Sequence, residues 1–228
     1  MTAFEIFKRK KIAIVLLDRS IQVMYNGHYT EMQTPYSRFT ECREITDFEA
    51  VRQLIRQALK DILPASVFRF GNVEIYITCS PLAADIEKRA IVDACTLNRF
   101  RTKVHLVYFP LATAKWLQLC ENEQNITIEL DKHNCYITLM QNGSISTFEE
   151  IRIILSDVAG MADDICKNLR IIFEKCDNDI PLKLWMSGCN KDISAVHKLL
   201  QDLIEFSISI ADQPNMATIN GLKEIAKI

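Results

Sequence analysis

Three acids and one glycine lie at or just after the ends of three apolar runs. Asp18 follows the first apolar run, Glu129 and Asp131 lie at the end of a later run, and Gly188 follows a third. A Mg²⁺ ion needs one or two carboxylates together with phosphate oxygens, so these acids permit a divergent nucleotide site. No glycine lies beside Asp18 or Asp131 to let backbone N–H groups approach a phosphate, and this opposes the site.

Other patterns for catalysis or metal binding are weak. Ser80 and Ser187 follow predicted strands, but neither lies in the G-x-S-x-G pattern of a hydrolase nucleophile. The histidines have no partner at i, i+4 spacing and no acid beside them on one face, which favours solvated or core positions over metal ligation. The four are His28, His105, His133 and His197. The sequence therefore predicts no catalytic residue, no metal and no cofactor.

The composition is that of an ordinary globular protein. With 228 residues, of which 49% are hydrophobic, the chain can bury one large core or two smaller ones. The formal net charge of -2 provides no strong field for nucleic acid, so nucleic-acid binding is not expected. The eight cysteines lack the two-residue gap of a zinc or redox pair, which favours reduced thiols in a cytoplasmic protein over a disulfide framework.

The N-terminal segment combines apolar and basic residues. Phe4, Ile6 and Phe7 are followed directly by four basic residues at positions 8–11. One turn of this kind can lie on an anionic bilayer, but a basic tail before a strand is the favoured interpretation because one turn buries little apolar area. No apolar run reaches the length of a membrane span, and no cleavable-signal pattern is present. Peripheral membrane contact is therefore left open for a soluble protein.

Each half of the chain opens with the pattern of an antiparallel meander. Apolar runs at 12–17 and 21–25 precede an Asn-Gly turn at 26–27, and a similar Asn-Gly turn at 142–143 joins two later runs. Helices and single strands follow each meander. The predicted segments are a helix from Asp47, a strand at 73–79, a helix near 86–94, a strand at 104–109, a helix at 110–119, a long helical stripe at 151–172, a strand at 182–186, a helix at 193–204, a strand at 206–210 and a final helix from about 216.

Several segments resemble MreB, a family of bacterial actin-like proteins. Residues 85–91, D-I-E-K-R-A-I, are similar to the family's V-E-R-R-A-I helix. Residues 104–114, V-H-L-V-Y-F-P-L-A-T-A, resemble its V-F-L-I-E-E-P-M-A-A-A segment. Residues 184–189 resemble the strand before its G-G-G adenosine loop, and A-D-Q-P at 211–214 looks like the A-E-D-P that follows. These matches fall in family order across nearly the whole chain.

The resemblance implies an α/β fold of two ribonuclease-H-like, actin-like halves, each a mixed β-meander sheet with helices. A boundary near residue 120 predicts a first half at 1–120 and a second half at 121–228. The family's outer subdomains would be inserted at 29–47 and 147–151, where this chain has little sequence to spare. Those subdomains are therefore expected to be absent or minimal.

The family's nucleotide-contacting positions are altered in this chain. Val15 and Leu17 stand where the first phosphate loop has Asp and Gly, and residues 128–132, I-E-L-D-K, replace the D-x-G-G-G of the second. The family's E-E-P carboxylate, which orients the attacking water, is replaced in the Y-F-P at 108–110. Of the adenosine-loop glycines, Gly188 remains.

The resemblance, taken with these losses, predicts a non-catalytic scaffold or regulator that binds a protein partner, such as an MreB-type filament or an envelope complex. We expect it in the cytoplasm, and both peripheral contact at the inner membrane and the oligomeric state are left open. One alternative is a divergent nucleotide-binding ATPase or sensor that uses Asp18, Glu129, Asp131 and Gly188. Another is an actin-like cytoplasmic scaffold of a secretion or pilus assembly.

Overall fold

The chain divides into two compact units. One comprises the described residues up to Ala112 together with Ile219–Ile228, and the other is Thr113–Thr218. The division at residue 120 that the sequence predicts remains a prediction. The structure is a computed structural model, which describes residues 9–17, 20–33, 40–41, 44–45, 47–63, 65, 72–96, 102–132, 134–153 and 157–228.

The first unit is built on a mixed five-stranded sheet. The unit begins with β1 (Lys10–Leu16), β2 (Ser20–Tyr25) and β3 (His28–Gln33). A separate short hairpin, β4 (Thr40–Glu41) and β5 (Glu44–Ile45), comes between β3 and the first helix. The strands β6 (Val73–Cys79) and β7 (Thr102–Tyr108) follow that helix. The order in the large sheet is β3-β2-β1-β6-β7. The first three strands pair antiparallel, whereas β6 and β7 add in parallel, so the predicted meander is confirmed.

Helices α1 (Phe48–Ile62) and α2 (Asp85–Cys95) cover one face of this sheet, and α3 (Phe109–Trp116) follows β7. The predicted helix start at Asp47 is confirmed, because this side chain accepts a hydrogen bond from the N–H of Ala50 at 2.9 Å. Alternate residues of β1 pack with the apolar stripe of α1 in one core. Examples are Ile12, Ile14 and Leu16 of the strand with Val51 and Ile55 of the helix.

The second unit repeats this plan. Its strands are β8 (Gln124–Leu130), β9 (Asn134–Gln141), β10 (Ser144–Arg152), β11 (Leu182–Ser187) and β12 (Ile208–Ile210). The strand order is β10-β9-β8-β11-β12, with an antiparallel meander followed by two parallel strands. The helices are α4 (Val158–Phe173), α5 (Ile193–Leu203), a short 3₁₀ turn (Pro214–Met216) and α6 (Ala217–Ala226), whose later part belongs to the first unit.

Both predicted Asn-Gly turns are confirmed. The residues Asn26 and Gly27 have φ of 48° and 78°, and Asn142 and Gly143 have 53° and 70°. Two successive positive φ values define the turn whose twist matches that of the flanking strands, and Asn-Gly is its preferred sequence.

One sequence expectation is corrected near the end of the second meander. The predicted helical stripe from residue 151 is wrong at its start, because β10 continues to Arg152 and α4 begins at Val158. Residues 147–151, where an outer subdomain was expected to be missing, are a continuous part of β10 with no inserted subdomain. The connection from β10 to α4 is residues 153–157, which is far too short for an inserted subdomain.

Among the residues described, no helix combines the length and apolar character that crossing a bilayer requires.

Candidate functional site

The turn of the β8–β9 hairpin forms the centre of the candidate site in the second unit. β8 ends at Leu130, and the N–H of Asp131 then donates to the carbonyl of Asn134 at 2.8 Å. The Asp131 side chain is 2% exposed. An anion cradle needs converging N–H groups that are free to donate. The N–H of Asp131 is already used to close the turn.

Glu129 is buried within a cluster of hydroxyl groups. Its side chain is 3% exposed, and Thr218 Oγ1 donates to Glu129 Oε1 at 2.9 Å. Thr113 Oγ1 donates to Glu129 Oε2 at 3.3 Å and lies 2.9 Å from Thr218 Oγ1. Burial of a carboxylate is costly unless hydrogen bonds compensate for the lost water. The threonine hydroxyls supply that compensation.

Gly188 lies directly against the backbone of the same hairpin. Its φ is 120°, and a Cβ atom at this position would lie 2.2 Å from the carbonyl oxygen of Leu130. The N–H of Gly188 donates to the carbonyl of Pro214 at 2.9 Å. Both the close approach and the positive φ require glycine. Gly188 therefore has a structural reason for being glycine that is independent of any ligand.

The two residues after Gly188 bond to the hairpin turn. The N–H of Asn190 donates to the carbonyl of Leu130 at 3.0 Å, and its side-chain Nδ2 donates to the carbonyl of Asp131 at 3.0 Å. The Cys189 thiol donates to Asp131 Oδ1 at 3.4 Å. These bonds fasten the loop after β11 onto the end of β8.

The electrostatic character of the site is negative. Burial raises the pKa of the Cys135 thiol, and the nearby negative charges of Asp131 and Glu129 raise it further. The same charges oppose the approach of a phosphate. Within the described residues, no group of three or more His, Cys, Asp or Glu side chains is arranged to hold a metal ion.

Three of the four nucleotide candidates lie together, namely Glu129, Asp131 and Gly188. Whether they bind nucleotide stays a prediction. Asp18, together with Phe4, Ile6 and Phe7 of the predicted membrane contact, lies outside the described residues.

The corresponding positions of the first unit are apolar. Val15 is fully buried in β1, and the N–H of Leu17 donates to the carbonyl of Ser20 at 3.0 Å. In the segment compared with E-E-P, Tyr108 ends β7 and Phe109 begins α3 with 1% of its surface exposed. The prediction that Phe109 belongs to the strand is wrong, because the helix begins at this residue. The replacement of the family's carboxylate in this segment stays a prediction.

The expectation that no histidine has an acid beside it is wrong for His105. Its Nε2 lies 2.6 Å from Glu74 Oε1, and its ring stacks on Tyr76 with centroids 4.5 Å apart. Arg9 and Lys103 each place a nitrogen 3.9 Å from the same carboxylate. The pairing was missed because Glu74 is on the neighbouring strand β6, far from His105 in sequence.

The polar partners in the second unit were also missed. Thr113 and Thr218 were not selected as site residues, although each is a hydroxyl within a mainly apolar helical segment. That interruption of an apolar run is a usable signal for a buried hydrogen bond. The sequence gives no comparable signal for the bonds that Asn190 makes.

No family model matches the chain, and no curated protein matches it in sequence. Solved structures do match. MreB5 of Spiroplasma citri bound to ADP aligns with a TM-score of 0.72 at 11% identity, covering 96% of this chain and 97% of that one.

The PilM-PilN type IV pilus biogenesis complex gives a TM-score of 0.71 at 8% identity, covering 95% of this chain and 98% of that one. The ethanolamine utilization protein EutJ from Carboxydothermus hydrogenoformans gives 0.69 at 12% identity, covering 93% and 88%. Each shares the arrangement of strands and helices rather than the sequence. The chain has the α/β fold of the bacterial actin-like proteins, with one mixed five-stranded sheet in each of its two units.

Proposed function

We propose that this chain is a non-catalytic actin-like scaffold or regulator in the cytoplasm that binds a protein partner. The partner class that best fits is a bacterial cytoskeletal filament or an envelope-associated machine. The observation that carries the proposal is the packing of the loop after β11 on the β8–β9 turn. Gly188 and Asn190 contact the backbone of Leu130 in the region where, by the resemblance, the second phosphate loop and the adenosine loop would hold nucleotide.

The side chains at the same place support this proposal. Glu129 and Asp131 are buried carboxylates, so a phosphate brought to them would meet two negative charges in a poorly solvated site. In the first unit, Val15 and Leu17 offer neither a carboxylate nor the freedom of glycine. This chain keeps both sheets of the fold but differs at the positions that contact nucleotide in the family. This combination favours a protein that binds its partner through the outer surface.

A divergent nucleotide sensor is the second candidate. The likeness to MreB5 bound to ADP supports it at the level of the fold. Asp131 would then have to bind Mg²⁺ rather than phosphate, which one carboxylate and phosphate oxygens can do. The present bonds of Asp131 to Cys189 and Asn190 would have to open first.

A scaffold of a secretion or pilus assembly is the third candidate, and the likeness to the PilM-PilN complex favours it. It shares the non-catalytic character of the main proposal and differs in the partner. Affinity capture with the full chain as bait separates the two, because filament subunits and envelope-assembly proteins are different proteins.

The thermal midpoint with and without millimolar Mg-ATP tests the non-catalytic proposal. A ligand present at ~100 times its dissociation constant adds ~2.7 kcal/mol and several degrees to the midpoint. We expect no shift. A clear shift that disappears in Asp131→Ala, but persists in Asp163→Ala on the exposed surface of α4, would replace the scaffold proposal with the nucleotide sensor.

A further inference from the structure

The second unit contains a polar cavity at the opposite end of β8 from the candidate site. Its volume is about 200 Å³. The start of β8, the β9–β10 turn and the loop before β11 surround it, and the side chains that matter are Asn122, Glu123, Gln124, Gln141, Asn142 and Asp177. Sites for drug-sized ligands run from roughly 300 to 1,000 Å³. This cavity therefore suits a single large side chain.

Gln124 forms a rigid floor for the cavity. The residue is 1% exposed, and its Nε2 donates to the carbonyls of Asp177 at 2.6 Å and Ile180 at 3.2 Å. Its Oε1 accepts from Gln141 Nε2 at 2.7 Å and from the N–H of Asp177 at 2.8 Å. All the hydrogen-bonding capacity of this amide is used, so the floor binds no ligand itself. It holds two strands and a loop together, and the cavity is preformed.

Two carboxylates, those of Glu123 and Asp177, and the side-chain amide of Gln141 provide acceptor atoms around this floor. Glu123 Oε2 accepts from Lys183 Nζ at 2.8 Å, and Asp177 Oδ1 accepts from the N–H of Asp179 at 2.9 Å. The remaining oxygens, Glu123 Oε1, Asp177 Oδ2 and Gln141 Oε1, accept no hydrogen bond from the described residues. Glu123 and Asp177 both line the cavity, whereas the one ammonium group paired here among the described residues, that of Lys183, contacts Glu123, so the balance of charge is negative.

We infer that this cavity binds the guanidinium group of an arginine side chain presented by a protein partner. The inference rests on the proposed function, in which the chain acts through a protein partner. Guanidinium is planar, always charged and has five N–H donors, so it can serve several separated acceptors at once. An arginine that enters a preformed acidic pocket is also a frequent centre of binding energy in protein interfaces.

Two small probes test the inference on the full chain labelled with ¹⁵N. N-acetyl-arginine methylamide carries the guanidinium, and N-acetyl-citrulline methylamide has nearly the same shape without the charge. The arginine probe is expected to shift the amide signals of residues 122–124, 141–143 and 177–180 with a dissociation constant on the order of 1 mM. The citrulline probe is expected to leave them unchanged at the same concentration.

A pair of matched double variants assigns the effect to the cavity. Glu123→Gln with Asp177→Asn removes both charges and keeps an oxygen for each internal hydrogen bond. We expect the dissociation constant of this variant for the arginine probe to rise by about tenfold or more. Glu121→Gln with Asp179→Asn removes the same charge from residues that do not line the cavity. This control is expected to retain the affinity, and the dispersion of its amide spectrum reports folding.

Three results would overturn the inference. They are an absence of shifts with the arginine probe, equal shifts with the citrulline probe, and an equal loss of affinity in the control pair. If the cavity variant does not fold, the comparison of the two probes on the unchanged chain decides. None of these readouts involves ATP. A thermal shift with Mg-ATP would contradict the proposed function. The arginine inference would still be decided by the two probes.

Discussion

The β1–β2 and β8–β9 hairpins have the same backbone plan and opposite chemistry. β1 ends at Leu16 and β8 at Leu130, and each has a parallel strand on its other side. The next residue closes each turn in the same way. Leu17 N–H donates to Ser20 at 3.0 Å, and Asp131 N–H donates to Asn134 at 2.8 Å.

The residues on either side of the strand end differ in polarity. They are Val15 and Leu17 in the first hairpin, and Glu129 and Asp131 in the second, and all four are buried. The backbone plan thus tolerates either pair, so the fold alone does not require the acids. In the second hairpin, hydroxyl groups from distant segments donate to Glu129 and a thiol donates to Asp131, and these bonds stabilise the buried acids. The buried acids are therefore a property of this unit, not of the hairpin plan.

The largest expected effect separates two glycines, Gly188 of the loop packed on the β8–β9 hairpin and Gly27 of the β2–β3 turn. Gly188→Ala places Cβ against the Leu130 carbonyl and requires a φ of 120°, so we expect unfolding to become easier by about 3 kcal/mol. Gly27→Ala has a φ of 78° with no atom within 4 Å of the new Cβ, and should cost about 1 kcal/mol. Urea denaturation measures both. Equal losses would mean that the loop after β11 is not packed on β8.

The next effect comes from making the second hairpin resemble the first. Glu129→Val removes the acceptor of two buried hydroxyls, so we expect a loss of about 2 kcal/mol in unfolding free energy. Replacing Thr113 and Thr218 by Val in the same chain removes the unsatisfied groups and should restore part of that loss. Urea denaturation of the single and triple variants measures it. Strictly additive losses would show that the three side chains do not act as a cluster.

A smaller effect is expected at acid pH in the first unit. Burial acts to raise the pKa of the Glu74 carboxyl, but the hydrogen bond and positive charge of His105, with two further cations, outweigh burial and lower that pKa below 4.5. A lowered pKa in the folded state contributes stability above pH 4.5 and loses it as the pH falls through the folded pKa. Glu74→Gln should therefore flatten the fall in stability below pH 4.5.

Urea midpoints at neutral pH and below pH 4.5 measure this difference. The control is Asp164→Asn, since Asp164 makes an exposed pair with Lys167. The urea midpoint of Asp164→Asn should fall with pH as steeply as that of the unchanged chain. An equally steep acid limb in Glu74→Gln would contradict the pairing with His105.

The smallest effect is a difference in thiol reactivity that leaves stability unchanged. Burial raises the pKa of Cys79 to about 11 and that of Cys95 to about 12, so these thiols should resist alkylation at pH 8. Cys120 and Cys189 of the second unit are exposed and should react. Mass spectrometry after brief treatment with iodoacetamide locates the modified residues. Protection of Cys189 together with rapid labelling of Cys79 would reverse the expected order.

The fold was largely predictable because its signals are local. β-branched runs, Asn-Gly turns and the cap at Asp47 each act within a few residues. The error at Ile151 also has a local cause. Ile151 lies three and four residues before Ile154 and Leu155, so its position in the sequence fits a helical spacing although the residue belongs to β10.

The candidate site was predictable only in part. Glu129, Asp131 and Gly188 could be selected because they replace or retain residues of a known motif. Their partners could not be selected, since Thr218 lies far from Glu129 in sequence and Leu130 contacts Gly188 through the backbone. Hydrogen bonds between distant segments depend on the completed sheet, and no spacing rule within one strand or helix reports them.

Equilibrium dialysis of the purified chain against Mg-ATP tests the central claim most directly, namely that the β8–β9 turn has lost its role in nucleotide binding. At nucleotide concentrations on the order of 1 mM, we expect equal ATP concentrations on both sides of the dialysis membrane after correction for the effect of the protein's net charge on the distribution of ions. An excess of ATP on the protein side that is lost in Asp131→Ala, and retained in the surface variant Asp163→Ala, would contradict the account.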